Sequence, residues 1–239
     1  MATTYQATYK DKFGEEITTI FNDGDSLKLT IRDVQFQGSS FELLTPILDQ
    51  EPLPESFSLF LDALCDFELD CEIPVQVSIN EQQFQTILFV HFEIGQADGS
   101  RQLTILRKKD DGSILESNTA LNREVLQLKL QIDDKVYASS GQNLYATFDE
   151  QLIEIKSQLP DNIYLKSCWN CAYSDFLPTG SGQFGNLACF KNTKDEYKKV
   201  RNKKDLFQIW DQRAGFVQEI HVCPEFEKRQ PGIGGLYVG

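Results

Sequence analysis

Histidine, long apolar runs and basic residues are all scarce in this 239-residue chain. No stretch of about 18 apolar residues occurs, so we expect no transmembrane helix. The first residues, MATTYQATYKDKFGEE, lack a basic start followed by an apolar segment, so we expect no secretion signal and a cytoplasmic location. Thiols stay reduced in that compartment, and the six cysteines therefore point to metal binding or core packing instead of disulfides.

Signatures of catalysis are also scarce. His91 and His221 are the two histidines, and His91 lies in a strand-like stretch that is apolar on both faces, where we expect a hydrogen-bonded core imidazole. The loop PTGSGQFGN lacks the GxSxG register of a nucleophile elbow and the Lys-Ser/Thr ending of a phosphate-binding loop. We therefore interpret its glycines as turn residues.

The acidic surplus is confined to the first part of the chain. Residues 1–160 contain 12 Lys+Arg and 27 Asp+Glu, whereas residues 161–239 contain 11 and 9. This shift predicts a β-domain over residues 1–145 and a second unit over 146–239, packed on the first. A negative field opposes binding to nucleic acid and membranes and suits a basic protein partner, although it can also serve solubility alone.

Residues 1–145 predict a mainly β fold of about eight strands, resembling a β-sandwich or a flattened barrel. LQLKLQI alternates cleanly, and TILFVHFEI predicts a central strand. Asp-Gly pairs at 23–24, 98–99 and 111–112 predict hairpin turns. In SLKLTIRDVQF the alternation slips at Arg32–Asp33, which predicts a bulge within one strand.

The stretch CDFELDCEIPVQVSI is the most regular in the chain. Its apolar residues, including Cys65 and Cys71, share one parity, and four carboxylates share the other. The pattern predicts a half-buried strand with both thiols in the core. A calcium or partner-binding ladder is the alternative, but carboxylates about 7 Å apart on a flat strand do not form a calcium loop.

Two helices are predicted in the second unit. TFDEQLIEIKSQLP has a capping box at Thr147 and Glu150, an apolar stripe, and a terminating Pro160. A second, short helix is predicted to begin at Thr193 in TKDEYKKV. We expect the first helix to pack on the sheet.

Four cysteines follow residue 161, namely Cys168, Cys171, Cys189 and Cys223. The CWNC spacing is typical of a zinc knuckle, and four thiolates complete a tetrahedral site. We predict a structural zinc site that closes a zinc-stapled C-terminal segment and leaves no open position for catalysis. His221 precedes Cys223 by two residues on a predicted strand, so it is an alternative ligand or a neighbour of the ligands.

Other interpretations of these residues stay open. The four thiols could be unrelated core residues, an iron–sulfur site, or a redox pair at Cys168 and Cys171, although CWNC lacks the flanking strand and helix of a thioredoxin motif. The adjacent stretch CFKNTKDEYKKVRNKKD is basic and contains aromatics, which is compatible with a nucleic-acid surface. Charge compensation of a thiolate centre or of the acidic first unit explains it equally well.

The segments CWNCAYSDFLPTGSGQFGNLACF, FQIWD and VQEIHVCPEFEKRQPGIGG resemble an uncharacterised bacterial family, catalogued as a domain of unknown function with a CxxC…CF…CPEFE pattern. The resemblance is strong over residues 164–236 and loose before them. It implies that the four cysteines belong together, and it adds four motif members: Ser174, Asp175, Glu225 and Arg229. The chain ends in GGLYVG, without the family's closing Arg-Gly, and the resemblance implies no activity.

Taken together, the sequence predicts a non-enzymatic protein-binding or regulatory protein with structural zinc and a basic protein partner, of which a basic toxin is one concrete version. One alternative is a hydrolase with its site in loop 174–185 beside the metal, where Asp175 or Glu225 acts as base. The other is a thiol redox protein that uses Cys168 and Cys171.

Overall fold

The structure is a computed structural model that describes residues 2–47, 66–95, 102–108, 114–120, 123–141, 147–177 and 184–230. The fold is mainly β with antiparallel sheets, and the described residues form three short helices, which confirms the predicted mainly β class. None of the described helices is long and apolar enough to cross a membrane. Cys65, the Asp-Gly pairs at 98–99 and 111–112, most of the glycine-rich loop and the GGLYVG tail lie outside the described residues.

The elements follow one another in a simple order. The strands are β1 (Thr3–Asp11), β2 (Gly14–Asn22), β3 (Leu27–Ile31), β4 (Val34–Gly38), β5 (Thr45–Pro46), β6 (Phe67–Ile79), β7 (Gln82–Gly95), β8 (Gln102–Lys108), β9 (Ile114–Ala120), β10 (Arg123–Ile132), β11 (Lys135–Ala138), β12 (Ile163–Leu165), β13 (Ser174–Asp175), β14 (Leu187–Cys189) and β15 (Gly215–Val217). The helices are α1 (Phe148–Gln158), α2 (Lys194–Tyr197) and α3 (Lys203–Ile209).

One ten-stranded antiparallel sheet, which we call the main sheet, dominates the molecule. Its strand order is β11-β10-β7-β6-β1-β2-β3-β4-β5, and β12 pairs with β6 beside this path. Strands β13, β14 and β15 form a small sheet of their own, and β8 and β9 form a hairpin. Over the described residues, the strands of the main sheet form one hydrogen-bonded sheet whose inner face holds the core, and the sandwich-like arrangement stays a prediction.

Strand β6 confirms the alternation read from the sequence. Its inward residues are all at most 3% exposed, namely Leu69, Cys71, Ile73, Val75 and Val77. Burial raises the pKa of the Cys71 thiol, so it packs as a neutral, small apolar group. On the outer face Glu68 forms an ion pair with Lys10 at 2.9 Å, so this carboxylate of the ladder is engaged within the sheet.

Strand β7 is central, as predicted, because it pairs with β6 on one side and β10 on the other. Only one of its faces is in the core, through Leu88, Val90 and Phe92. The prediction of a core imidazole at His91 is wrong, since His91 has the opposite parity and lies on the outer face. There its Nδ1 is 2.8 Å from an Asp70 carboxylate oxygen.

The predicted bulge at Arg32–Asp33 is also wrong. These residues form the two-residue turn of a hairpin between β3 and β4, in which Ile31 pairs with Val34. Both have positive φ, 46° and 65°, which is typical of the type I′ turn that matches strand twist. The Arg32 guanidinium donates to both carboxylate oxygens of Asp11, at 2.6 and 2.7 Å, which helps to hold this turn.

Helix α1 confirms the capping-box prediction. The Glu150 N–H donates to Thr147 Oγ1 at 3.3 Å, and the Thr147 N–H donates to the Glu150 carboxylate at 3.4 Å. The helix buries Phe148, Leu152 and Ile155 against the sheet. The core thus contains residues from both sides of the proposed 145/146 boundary, and the boundary itself stays a prediction.

The C-terminal helices are short. Helix α2 directly follows Thr193, as predicted, although the Thr193 side chain makes no capping bond. Helix α3 was not predicted from the sequence. Its N-cap is Asn202, whose side-chain oxygen accepts from the Asp205 N–H at 3.1 Å.

The positive φ of Asp33 leads to a prediction. Asp33→Gly should raise the free energy of unfolding by about 0.5–1 kcal/mol, because glycine adopts positive φ without the steric cost of a Cβ. Asp25→Gly is the matched control: Asp25 lies in the β2–β3 turn without positive φ, so the change should be neutral or destabilising. Urea unfolding measures both, and a loss of stability in Asp33→Gly would contradict the turn assignment.

Candidate metal centre

The four predicted ligands come from three separate parts of the C-terminal segment. Cys168 begins a single 3₁₀ turn, and Cys171 directly follows that turn. Cys189 ends β14, and Cys223 lies in the irregular stretch after β15. All four are free and buried, with exposures of 3%, 6%, 8% and 9% in chain order. We call these four residues the cysteine cluster.

Backbone hydrogen bonds draw these parts together. The Cys168 N–H donates to the His221 carbonyl at 2.8 Å, and the Trp169 N–H donates to the Glu219 carbonyl at 3.0 Å. Cys171 forms an isolated antiparallel bridge with Lys228. The 3₁₀ turn is therefore held between the two sides of the segment that contains Cys223.

The thiols interact electrostatically across these chain parts. Burial raises the pKa of the Cys168 thiol, and the other three members of the cysteine cluster add to the shift. Burial also raises the pKa of the Cys189 thiol, with further contributions from Cys171 and Cys223. The structure therefore brings the four predicted residues into one neighbourhood.

Two of the sulfurs receive backbone hydrogen bonds from the residue two positions later. The Glu225 N–H donates to Cys223 Sγ at 3.4 Å. A backbone N–H of Lys191 donates to the Cys189 sulfur and partly opposes the rise in its pKa. At Cys189 this bond stabilises negative charge on sulfur and so opposes part of the effect of burial on the pKa.

The side chains as placed do not form a coordination shell. Within the described ranges, no three His, Cys, Asp or Glu side chains are arranged to hold a metal ion. The fit to a metal therefore rests on the donor set: four soft sulfur ligands, which suit zinc or an iron–sulfur cluster.

The expected strand up to Cys223 is only partly present. Strand β15 ends at Val217, and Gln218 and Glu219 turn inward, with exposures of 5% and 0%. His221 is exposed and is not on a strand, so the alternation that was expected to place it beside Cys223 does not apply. Its observed contact with the cluster is through its backbone carbonyl.

Three of the four additional motif residues meet in a buried network next to the cluster. The Ser174 hydroxyl donates to the carbonyls of Cys168 and Cys171, at 2.6 and 3.1 Å. The Arg229 guanidinium donates to the Ser174 carbonyl. Asp175, 2% exposed, accepts at 3.1 Å from the Tyr197 hydroxyl, which also donates to the Ser174 carbonyl at 2.7 Å.

Tyr197 was not predicted as a site residue. Burial, with a contribution from Asp175, raises the pKa of its phenol, so it remains a neutral donor. Glu225, the fourth motif residue, stays outside the network and lies 3.6 Å from Lys194. The sequence signal that could have identified Tyr197 is its place as an aromatic residue within the basic stretch.

The segment docks on the main sheet through a buried pair of amides. Asn22 on β2 and Gln218 donate to each other, at 2.7 and 2.9 Å. Nearby, the buried Glu219 carboxylate accepts from the Gly185 N–H at 2.9 Å. Neither Gln218 nor Glu219 was singled out in the sequence.

A second contact links the CWNC turn to α1. The Trp169 indole N–H donates to the Asp149 carboxylate at 2.6 Å, and both side chains are buried. Burial raises the pKa of Asp149 to about 6, although the bond from Trp169 opposes the shift.

Comparison with protein families gives one match, over residues 3–174. The chain belongs to a family of unknown function (DUF6304). Membership in a family of unknown function is therefore confirmed, but the match lies mainly over the main sheet and covers only residues 164–174 of the stretch 164–236 on which the sequence resemblance was based. The DUF6304 match includes α1, Cys168 and Cys171 and ends before Cys189 and Cys223. Comparison with curated proteins and with solved structures gave no match.

The Asp149–Trp169 contact predicts a pH dependence of stability. The raised pKa means that the folded state binds the Asp149 proton more tightly than the unfolded chain does. Its contribution is therefore present in acid and is lost as the pH rises through about 6. Asp149→Asn still accepts from Trp169 but cannot ionise, so its stability relative to wild type should increase by about 2–3 kcal/mol between about pH 4 and pH 7.

Urea unfolding of both proteins at each pH measures this difference. Asp211→Asn is the matched control, because Asp211 is fully exposed and its substitution should leave the difference from wild type nearly constant. A constant difference for Asp149→Asn as well would contradict the burial of an acid at this position.

Proposed function

We propose that the cysteine cluster binds one structural zinc ion, and that the protein is non-enzymatic and acts by binding another protein in the cytoplasm. The observation that carries the zinc proposal is that four buried, free thiols from distant parts of the chain are near enough for Cys171, Cys189 and Cys223 to contribute to the raised pKa of Cys168. Four sulfur donors with tetrahedral geometry fit zinc, and a site filled by protein ligands has no position for a substrate.

The backbone around the cluster directs N–H groups at two of the sulfurs. The N–H groups of Lys191 and Glu225 already donate to Cys189 and Cys223. The Lys191 side chain contributes positive charge near Cys189. His221 is the alternative ligand, since its backbone already contacts the cluster.

The two alternative functions receive less support. A redox pair needs an accessible thiolate, whereas Cys168 and Cys171 are only 3% and 6% exposed. A hydrolase in loop 174–185 needs a free nucleophile or base. The Ser174 hydroxyl instead donates to two carbonyls, and Asp175 accepts from Tyr197 and from the Phe176 N–H.

Charge supports a basic protein as the partner. The acidic surplus lies in residues 1–160, and the outer face of β6 presents Asp70 and Glu72 to solvent. Two of the cations in the basic stretch around α2 are engaged locally: Lys194 lies 3.1 Å from Glu227 and 3.6 Å from Glu225, and Arg201 donates to the carbonyls of Lys198 and Val200. A nucleic-acid role therefore has little support. We also propose that the protein is bacterial and that the cysteine pattern is shared by its family.

Metal content tests the zinc proposal. Purified protein should contain one equivalent of zinc, and chelation should lower the melting temperature strongly, because metal binding contributes directly to folding. Cys189→Ser and Cys223→Ser should lose the zinc. Cys71→Ser is the matched control: it also buries a hydroxyl, but on β6, so it should be destabilised and keep the metal. A metal-free wild type that melts at the same temperature with chelator would contradict the proposal.

A retention experiment tests the partner proposal. Immobilised protein should retain a basic protein from an extract of its native host at low salt and release it at high salt. Asp66→Asn combined with Glu72→Gln should weaken binding roughly tenfold, because it removes two exposed carboxylates, one just before β6 and one on its outer face. Asp133→Asn combined with Asp134→Asn changes the net charge equally in the β10–β11 turn and should not. Equal weakening by both pairs would indicate non-specific attraction.

A further inference from the structure

A depression of about 290 Å³ lies on the outer face of the main sheet, across β2, β1, β6, β7 and β10. Its origin is the length of the cross-strand side chains. Thr8 pairs with Asp70, and both are short, whereas the next outward pair along the same strands is Gln6 with Glu72. Because short pairs lie beside longer ones on one face, the sheet surface is hollow at Thr8 and Asp70.

An aromatic ring forms one wall of this depression. Phe89 on β7 lies directly between Glu72 on β6 and Lys129 on β10. Neighbouring strands are about 4.8 Å apart, so roughly 10 Å separates these two backbone positions across the ring. Neither charged group has an ion-pair partner among the described residues. Phe89 is partly exposed, so it presents an apolar surface between an acceptor and a donor.

The rest of the lining combines a second exposed apolar side chain, Ile17, with donors and acceptors. Asp70 and Glu72 accept, Lys129 donates, and Gln6 and His91 can do both. The hydrogen bond between His91 Nδ1 and Asp70, at 2.8 Å, fixes the orientation of both side chains. At least two of the polar side chains that line the depression are therefore held in place by a hydrogen bond to each other.

We propose that this depression binds a neutral saccharide, with one sugar ring stacked on Phe89. A sugar ring has an apolar C–H face and a rim of hydroxyls, each of which both donates and accepts, and this matches the lining. A volume near 300 Å³ is at the lower limit of typical ligand pockets and suits one or two sugar units.

Other ligand classes fit the lining less well. An anion is opposed by Asp70 and Glu72, and an arginine side chain only donates and is opposed by Lys129. An apolar ligand would bury the charged and amide groups without partners, which is costly. This inference is independent of the zinc proposal, because no member of the cysteine cluster lines the depression.

The test is a titration of the full chain as purified, followed by amide chemical shifts in two-dimensional NMR spectra. The probes are glucose, galactose, mannose, N-acetylglucosamine, maltose and cellobiose, with free arginine and inorganic phosphate as the charged comparisons. At least one sugar should shift the amides of Thr8, Asp70, Phe89 and His91 in a saturable manner. The site is open to solvent, so we expect a dissociation constant on the order of 1 mM.

Phe89→Ala should weaken this binding about tenfold, because it removes the stacking surface. Phe84→Ala is the matched control: Phe84 is on the same strand and 46% exposed, but it does not line the depression. Lys129→Met tests the site without removing the ring and should also weaken binding. Three results would overturn the proposal. The first is that no sugar produces saturable shifts, and the second is that binding is unchanged in both Phe89→Ala and Lys129→Met. The third is that only arginine or phosphate produces shifts.

Discussion

The C-terminal third of the protein depends on contacts between chain segments, because its own elements are too short to be stable alone. After α1, the longest regular element in the described residues is the seven-residue α3, and β13 and β14 have two and three residues. The hydrogen bonds within short helices and strands do not offset the conformational entropy that the chain loses on folding, so such elements need tertiary contacts. The cysteine cluster lies where the CWNC turn, the end of β14 and the stretch after β15 meet. A zinc ion there would join all three, in the way that metals or disulfides stabilise small scaffolds.

The main sheet supplies the platform on which this segment rests. Its inner face is a continuous apolar surface, and α1 and the ring of Phe184 cover part of it. The polar contacts from Asn22 to Gln218 and from Asp149 to Trp169 fix the segment on that platform. Both contacts are buried and directional, so they determine orientation more than they add stability. The outer face of the same sheet does not support the C-terminal segment. It contains the acidic surface and the depression beside Phe89.

Local patterns in the sequence predicted local structure well. The alternation in β6 identified its core residues, and the Thr147–Glu150 spacing identified the start of α1, because both signals act over a few residues. The turn at Arg32–Asp33 was missed, since neither residue is the glycine or asparagine that usually marks positive φ. His91 was misplaced because its strand is apolar on both faces, so that its parity was masked by Ile87 and Phe89.

Contacts over long sequence separation were predicted only in part. Cysteine is chemically distinctive, so the four members of the cluster could be grouped from the sequence although 55 positions separate Cys168 from Cys223. Their environment could not be predicted, because Gln218, Glu219 and Tyr197 carry no such distinctive signal. The inward turn of Gln218 and Glu219, which ends β15 early, depends on partners elsewhere in the fold.

X-ray absorption at the zinc edge of the purified protein tests the central claim most directly, because it reports the identity of the atoms bound to the metal. The account predicts zinc with four sulfur neighbours at about 2.3 Å and no nitrogen or oxygen neighbour. A shell with a histidine nitrogen would replace one thiolate by His221, and a shell dominated by oxygen, or the absence of bound zinc, would contradict the account.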